Sequence, residues 1–193
     1  MLDTYGSRYV QPVIERVANR LLKWNFTPNE VTILGGIIGV STGIFIYNDM
    51  HWTAVILLWL SGLFDVLDGT MARKSKRTGF GTVLDLVLDR FVELSVVIAL
   101  ALRYPEYMPV FLVLIASFVI AMTLFLAVGA SSSRRSEKTF YYQPGIIERT
   151  ECFILFTMMI LFPNWVGGIA LIFLVLEVMT ITQRFIEARR ILR

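Results

Sequence analysis

The sequence predicts an all-α integral membrane protein: six transmembrane helices preceded by an amphipathic helix lying in the membrane interface. Three observations carry that prediction. Hydrophobic side chains make up 56% of the 193 residues and charged ones only 17%, against about 45–50% and about 25% in soluble domains. Apolar runs of spanning length follow one another along the chain, and the basic residues collect in alternate gaps between them. The same composition excludes a disordered chain, a collagen and a disulfide-stapled fold, since there are 13 Gly, 6 Pro and a single Cys, Cys152. At roughly 20 residues per span the helices use up the chain. One membrane domain over 1–193 is expected, with the interfacial helix at 1–26 and the bundle at 27–193.

Taken in order, the first element shows Tyr5, Tyr9, Val13, Val17 and Leu21 at every fourth residue, flanked by Val10, Ile14 and Leu22. Arg8, Glu15, Arg16 and Lys23 fill much of the remainder, the pattern of a helix in the interface plane or of one packed on the cytoplasmic face of the bundle. No signal-peptide core or cleavage site is visible, so this segment reads as part of the mature chain. Apolar runs then occupy about 30–49, 52–71, 80–102, 107–130, 146–162 and 164–186. Pro28 opens the first and Asn48-Asp49 closes it; Pro105 and Pro109 mark the turn into the fourth, and Pro163-Asn164 separates the last two.

Orientation follows from the Lys and Arg residues. Six spans put Arg8, Arg16, Arg20, Lys23, Arg73, Lys74, Lys76, Arg77, Arg134, Arg135, Lys138, Arg149, Arg184, Arg189, Arg190 and Arg193 on one side, and only Arg103 on the other. Both termini and the 72–79 and 131–149 connections are therefore expected in the cytoplasm, with the protein in the cytoplasmic (inner) membrane. The net charge of +3 is a topology signal with some attraction to anionic headgroups, and does not point to nucleic acid.

Carboxylates inside a span cost on the order of 2.5–3.5 kcal/mol each, so a cluster of them needs a reason. Asp65 and Asp68 sit near the cytoplasmic end of the second run, and Asp85, Asp89 and Glu93 near the start of the third. Spacings of three and four stack side chains on one helix face. Two antiparallel helices joined by a short loop thus gather four or five carboxylates just below the membrane surface, a set that stays ionised only around a cation. With oxygen ligands alone, and the single His51 on the opposite side, a hard divalent ion is indicated, Mg²⁺, Mn²⁺ or Ca²⁺. Neutralisation by Arg73 and Arg90, or a proton or cation path through a small transporter, are the alternatives that charge alone leaves open.

Residues 65–89 read DVLDGTMARKSKRTGFGTVLDLVLD. This segment resembles the signature of the CDP-alcohol phosphatidyltransferase family, D-x2-D-G-x2-A-R-x7 or x8-G-x3-D-x3-D. Its fixed positions are filled by Asp65, Asp68, Gly69, Ala72, Arg73, Gly81, Asp85 and Asp89, with the shorter spacer. A chance match is on the order of one in ten million from residue frequencies. The resemblance implies a six-span enzyme, usually a homodimer, that transfers the phosphatidyl group of a CDP-linked lipid, of the CDP-diacylglycerol or CDP-archaeol type, to the hydroxyl of a polar alcohol and releases CMP. It also implies two Mg²⁺ or Mn²⁺ ions held by Asp65, Asp68, Asp85 and Asp89, with Asp89 as the base that takes the acceptor's proton.

Under the same resemblance Gly69, Ala72, Arg73 and Gly81 face the CDP-lipid. Asn29 and Thr32, in a segment similar to the family's entry to its first span, are further candidates, although Thr27-Pro28-Asn29 is equally a helix start. A pathway for cations would stay polar across both spans, whereas Val96–Leu102 is apolar, which disfavours transport. Arg134, Arg135, Lys138 and Arg149 in the longest cytoplasmic connection, with Glu93 at the border of the cavity, would suit an acceptor that itself carries phosphate, such as inositol phosphate or glycerol phosphate. Serine or another free alcohol is the alternative acceptor.

Overall fold

The start of the first span is fixed by a few polar residues. Thr27 accepts a hydrogen bond from the Glu30 N–H through Oγ1 (3.3 Å), while Glu30 Oε2 accepts from the Thr27 N–H (2.8 Å). With Pro28 at the first helical position, this capping box fixes the start of the helix. A computed structural model describes residues 2–131 and 145–192, apart from the side chains of residues 2–10 and 191. Among the described residues the chain forms α1 (Leu2–Lys23), α2 (Pro28–Tyr47), α3 (His51–Lys74), α4 (Gly79–Arg103), α5 (Met108–Ser131), α6 (Arg149–Leu161) and α7 (Val166–Ile191), with short 3₁₀ turns at Pro105–Tyr107 and Pro163–Trp165. There is no strand among them.

Each apolar run of the sequence corresponds to one helix; the ends differ most at α7, which runs on to Ile191 rather than stopping at 186, and α6 begins at Arg149 rather than 146. Four helical stretches, Pro28–Tyr47, His51–Lys74, Pro105–Ser131 and Pro163–Arg190, are long and apolar enough to cross a bilayer, so the chain is a multi-pass membrane protein. The other two runs fall short of that standard for different reasons. α4 has 25 residues but carries Asp85, Asp89, Arg90 and Glu93, and α6 has 13 residues, about 20 Å of helix against about 30 Å of hydrocarbon.

The chain divides into two compact units, Met1–Arg103 and Tyr104–Arg193. In the first, α2 packs closely on both α3 and α4 along its glycines. A Cβ added at Gly35 would lie 2.7 Å from Phe64 Cβ, at Gly36 2.9 Å from Leu88, and at Gly43 2.6 Å from the Ser95 carbonyl oxygen. The missing side chains therefore let backbones approach, the usual use of small residues between membrane helices. Gly39 extends the stripe against Ser61 and Val92.

α1 buries Ile14 and Ala18 in a cluster with Val31, Leu67 and Met71, flanked by Leu21, Leu22 and Phe64. Lys74 Nζ reaches Glu15 (3.4 Å) and Asn19 (3.1 Å) from the end of α3, while Val13 and Val17 remain exposed. At the other end of the unit, Asp49 turns the chain with φ 58°. Its carboxylate takes the Arg103 guanidinium, Nε–H donating to Oδ1 at 2.8 Å and Nη2 to Oδ2.

In the second unit, Phe173 of α7 packs between Phe118 of α5 and Phe156 of α6, ring centroids 5.5 and 5.3 Å away. The Tyr107 ring covers Gly167 where α7 begins. Before α6, the Ile147 N–H donates to Thr180 Oγ1 (3.1 Å), which ties that segment to α7.

Candidate active site

Two helices joined by residues 75–78 supply the acidic groups. α3 ends where Ser75 caps it, its N–H and Oγ both donating to the Met71 carbonyl at 2.9 Å. α4 starts where Thr78 Oγ1 accepts the Gly81 N–H at 3.0 Å. α3 and α4 both pack on α2, which holds the two acidic helices together. Asp65, Asp68 and Asp85 each present a carboxylate oxygen, and the three oxygens lie within 4.8 Å of one another.

Asp68 is buried and the other two are half-buried. Asp85 is in hydrogen-bonding reach of Asp65 and in the electrostatic field of Asp68 and Asp89. Three like charges at this separation repel unless a cation lies between them. An oxygen-only donor set from two rigid helices fits a hard divalent ion, with no competing soft ligand in the group. Asp89, expected as the fourth ligand, lies one turn further along α4, half-buried and outside the convergent trio.

The glycines of the signature have different surroundings. A Cβ at Gly69 would meet only Arg73 Nη1, at 3.5 Å, an ordinary contact that leaves the helix face open beside the carboxylates. At Gly81 it would meet Asn29 Oδ1 at 2.9 Å and Thr78 Oγ1 at 3.0 Å. The start of α4 is thus set against the start of α2, and Asn29 is brought to the signature. Ala72 is half-buried on α3. Arg73 is exposed and held along its own helix, Nη2 donating to Thr70 Oγ1 (2.7 Å), whose hydroxyl in turn donates to the Val66 carbonyl (2.8 Å). Thr32 is buried with its hydroxyl donating to the Pro28 carbonyl at 2.9 Å.

Glu93 is buried, and each of its carboxylate oxygens takes a guanidinium nitrogen of Arg90 at 2.5 Å. Arg90 therefore pairs with Glu93 instead of neutralising the signature aspartates, and Glu93, expected at the acceptor cavity, is engaged in this fork. Sequence reasoning passed over the roles of Thr70, Thr78 and this pair. The i, i+3 spacing of opposite charges at 90 and 93 was the available signal. In the second unit Arg149 opens α6 with its guanidinium 5.4 Å from the Phe153 ring centroid. Arg134, Arg135 and Lys138 lie outside the described residues.

Known proteins resemble this chain throughout. An archaetidylinositol phosphate synthase of Pyrococcus horikoshii is 30% identical over 98% of this chain and 97% of its own. The inner membrane protein YnjF of Escherichia coli is 31% identical over 90% and 88%. The crystal structure of Mycobacterium tuberculosis phosphatidylinositol phosphate synthase with CDP-DAG bound superimposes with a TM-score of 0.78, at 25% identity over 92% of this chain and 94% of that one. Residues 25–183 match the CDP-alcohol phosphatidyltransferase family. That match takes in the whole acidic signature and every helix after α1, α7 as far as residue 183, and the protein belongs to the CDP-alcohol phosphatidyltransferase family, enzymes that transfer a phosphatidyl-type group in phospholipid biosynthesis.

Proposed function

We propose that this enzyme transfers the phosphatidyl group of a CDP-linked lipid to a phosphorylated polyol, inositol phosphate before glycerol phosphate, and releases CMP. The convergence of Asp65, Asp68 and Asp85 from two helices carries the reading. The names of the relatives support the acceptor, since both the Pyrococcus protein and the mycobacterial one are inositol phosphate lipid synthases.

Asp65, Asp68 and Asp85, with Asp89 completing the set, would hold two Mg²⁺ or Mn²⁺ ions. When bound, these supply positive charge to the pyrophosphate and to the oxygen of the departing CMP. The relative from Mycobacterium tuberculosis has been crystallised with manganese and citrate. Asp89 takes the proton of the acceptor hydroxyl as its oxygen attacks the lipid-side phosphorus, and the bond from that phosphorus to the CMP oxygen breaks. Arg73 and the open face at Gly69 receive the nucleotide, with Asn29, Thr32, Ala72 and Gly81 shaping its berth. Arg134, Arg135, Lys138 and Arg149 draw the acceptor's phosphate by charge-assisted hydrogen bonds.

The same reading places six spans in the cytoplasmic membrane, α4 and α6 completing the count, in a single domain over 1–193 that works as a homodimer. Termini and carboxylates face the cytoplasm. α1 rests in the interface with Val13 and Val17 toward the acyl chains, an orientation supported by its exposed apolar edge beside exposed Arg16 and Arg20.

The test is CMP release by the detergent-purified protein with CDP-diacylglycerol or CDP-archaeol, Mg²⁺ or Mn²⁺, and inositol phosphate, glycerol phosphate, serine and inositol in turn. Release with inositol phosphate alone that chelator abolishes is the expected result. Release with serine or free inositol would overturn the acceptor assignment while leaving the family reaction intact.

A further inference from the structure

Glu93 continues the acidic stripe of α4. Asp85, Asp89 and Glu93 follow at intervals of four residues, each about 6 Å further along the helix and on a slowly drifting face. By position alone Glu93 is the next carboxylate available to the metal-binding cluster. It is also buried, 7% exposed, at a depth where an unbalanced charge is costly. Instead of turning to the cluster it is gripped on both oxygens by Arg90, the residue that follows Asp89.

The charges explain what the grip achieves. Four aspartates balance two divalent ions, so a fifth carboxylate would leave a net negative charge in a poorly solvated site. Arg90 without its partner would place a full positive charge beside Asp89, where it competes with the ions. Folded on each other, the two side chains are neutral as a pair. The bidentate geometry also fixes the direction of the carboxylate, which a point charge would not.

We propose that Arg90 is a positioning residue that holds Glu93 out of the carboxylate cluster, so that the four signature aspartates, without a fifth carboxylate, face the metal site. This rests on the metal reading given above. The pair thereby sets the metal affinity of a centre it does not touch.

The test compares Arg90→Gln, Glu93→Gln and the double variant in detergent, with Mn²⁺ titrated by electron paramagnetic resonance and CMP release measured alongside. Glu93→Gln, which strips Arg90 of its partner, is expected to weaken Mn²⁺ binding about tenfold or more. Arg90→Gln is expected to tighten Mn²⁺ binding or add a binding equivalent as Glu93 joins the cluster, with turnover reduced about tenfold or more. The double variant should return both readouts to within about threefold of the parent, the coupling that a mutant cycle detects.

Mn²⁺ binding by both single variants within about twofold of the parent would overturn the proposal, as would a double variant no better than the worse single one. Should Arg90→Gln fail to fold, Glu93→Gln against the double variant still decides, because recovery by removing a second residue is not what a packing defect gives. A parent that binds no Mn²⁺ would overturn the metal reading and this proposal together; a parent that binds it normally, with indifferent variants, would overturn this one alone.

Discussion

Asp89 and Gly81 are expected to limit the proposed reaction in two different ways. General bases contribute about 10²–10⁴ in rate, so Asp89→Asn is expected to lower CMP release by at least about a hundredfold while CDP-lipid binding, followed by calorimetry, stays within about threefold. Turnover near the parent's would remove Asp89 from the proposed role. At Gly81 the limit is space: an added methyl would sit 2.9 Å from Asn29 Oδ1 and 3.0 Å from Thr78 Oγ1. Gly81→Ala should therefore raise the KM for the CDP-lipid about tenfold or more, and Asn29→Ala on the same chain should recover part of it. A Gly81→Ala enzyme with unchanged KM would show that the start of α4 tolerates displacement. The convergence of Asp65, Asp68 and Asp85 was legible in the sequence, because helical spacing and a short loop leave few ways to arrange them. The contact of Gly81 with Asn29 was not, since it joins residues far apart in the chain that only the packing of α2 on α4 brings together.

Among the elements, α2 has the most constrained surface. The Cβ of Gly43→Ala would meet the Ser95 carbonyl oxygen at 2.6 Å, a backbone atom that cannot rotate away, whereas Gly168 on α7 has nothing within 4 Å. Overpacking of this kind costs about 1–3 kcal/mol, so Gly43→Ala should lower the thermal midpoint in detergent by about 3–10 °C. Gly168→Ala should leave it unchanged or slightly higher, from helix propensity. Equal midpoints for the two variants would mean that α2 and α4 can separate freely. Helix positions were readable from apolar runs and their Pro, Asn and Asp boundaries, because those residues act locally. The length of α6 was less so: the chain before Arg149 is apolar enough to extend the run, yet Ile147 turns its N–H to Thr180 of α7 instead of continuing a helix. A tertiary hydrogen bond overrode the local pattern.

For the whole molecule, the distribution of Lys and Arg sets a testable sidedness. The chain has one cysteine, so a Cys152→Ser background accepts single reporters. In intact cells an impermeant maleimide should label Glu106→Cys and spare Lys76→Cys until the membrane is opened, and the reverse pattern would invert the proposed orientation. The overall class was legible from composition alone, because a bilayer demands apolar runs of fixed length. The ion pair of Asp49 with Arg103 was not, joining residues 54 apart; it neutralises the residue that the proposed orientation sets apart from the other basic groups. α4, with Asp85, Asp89, Arg90 and Glu93 along its length, has a consequence for biogenesis. Four such residues oppose partitioning by roughly 10 kcal/mol if each counts in full, so the nascent helix is a poor substrate for the translocon by itself. The α2–α3 hairpin, synthesised first, offers a glycine-lined groove at the ribosome's exit and a turn carboxylate to receive Arg103. Membrane integration of α4 should then depend on chain order: fused to a reporter without residues 28–74 it should wash off in alkaline carbonate, and behind them it should stay.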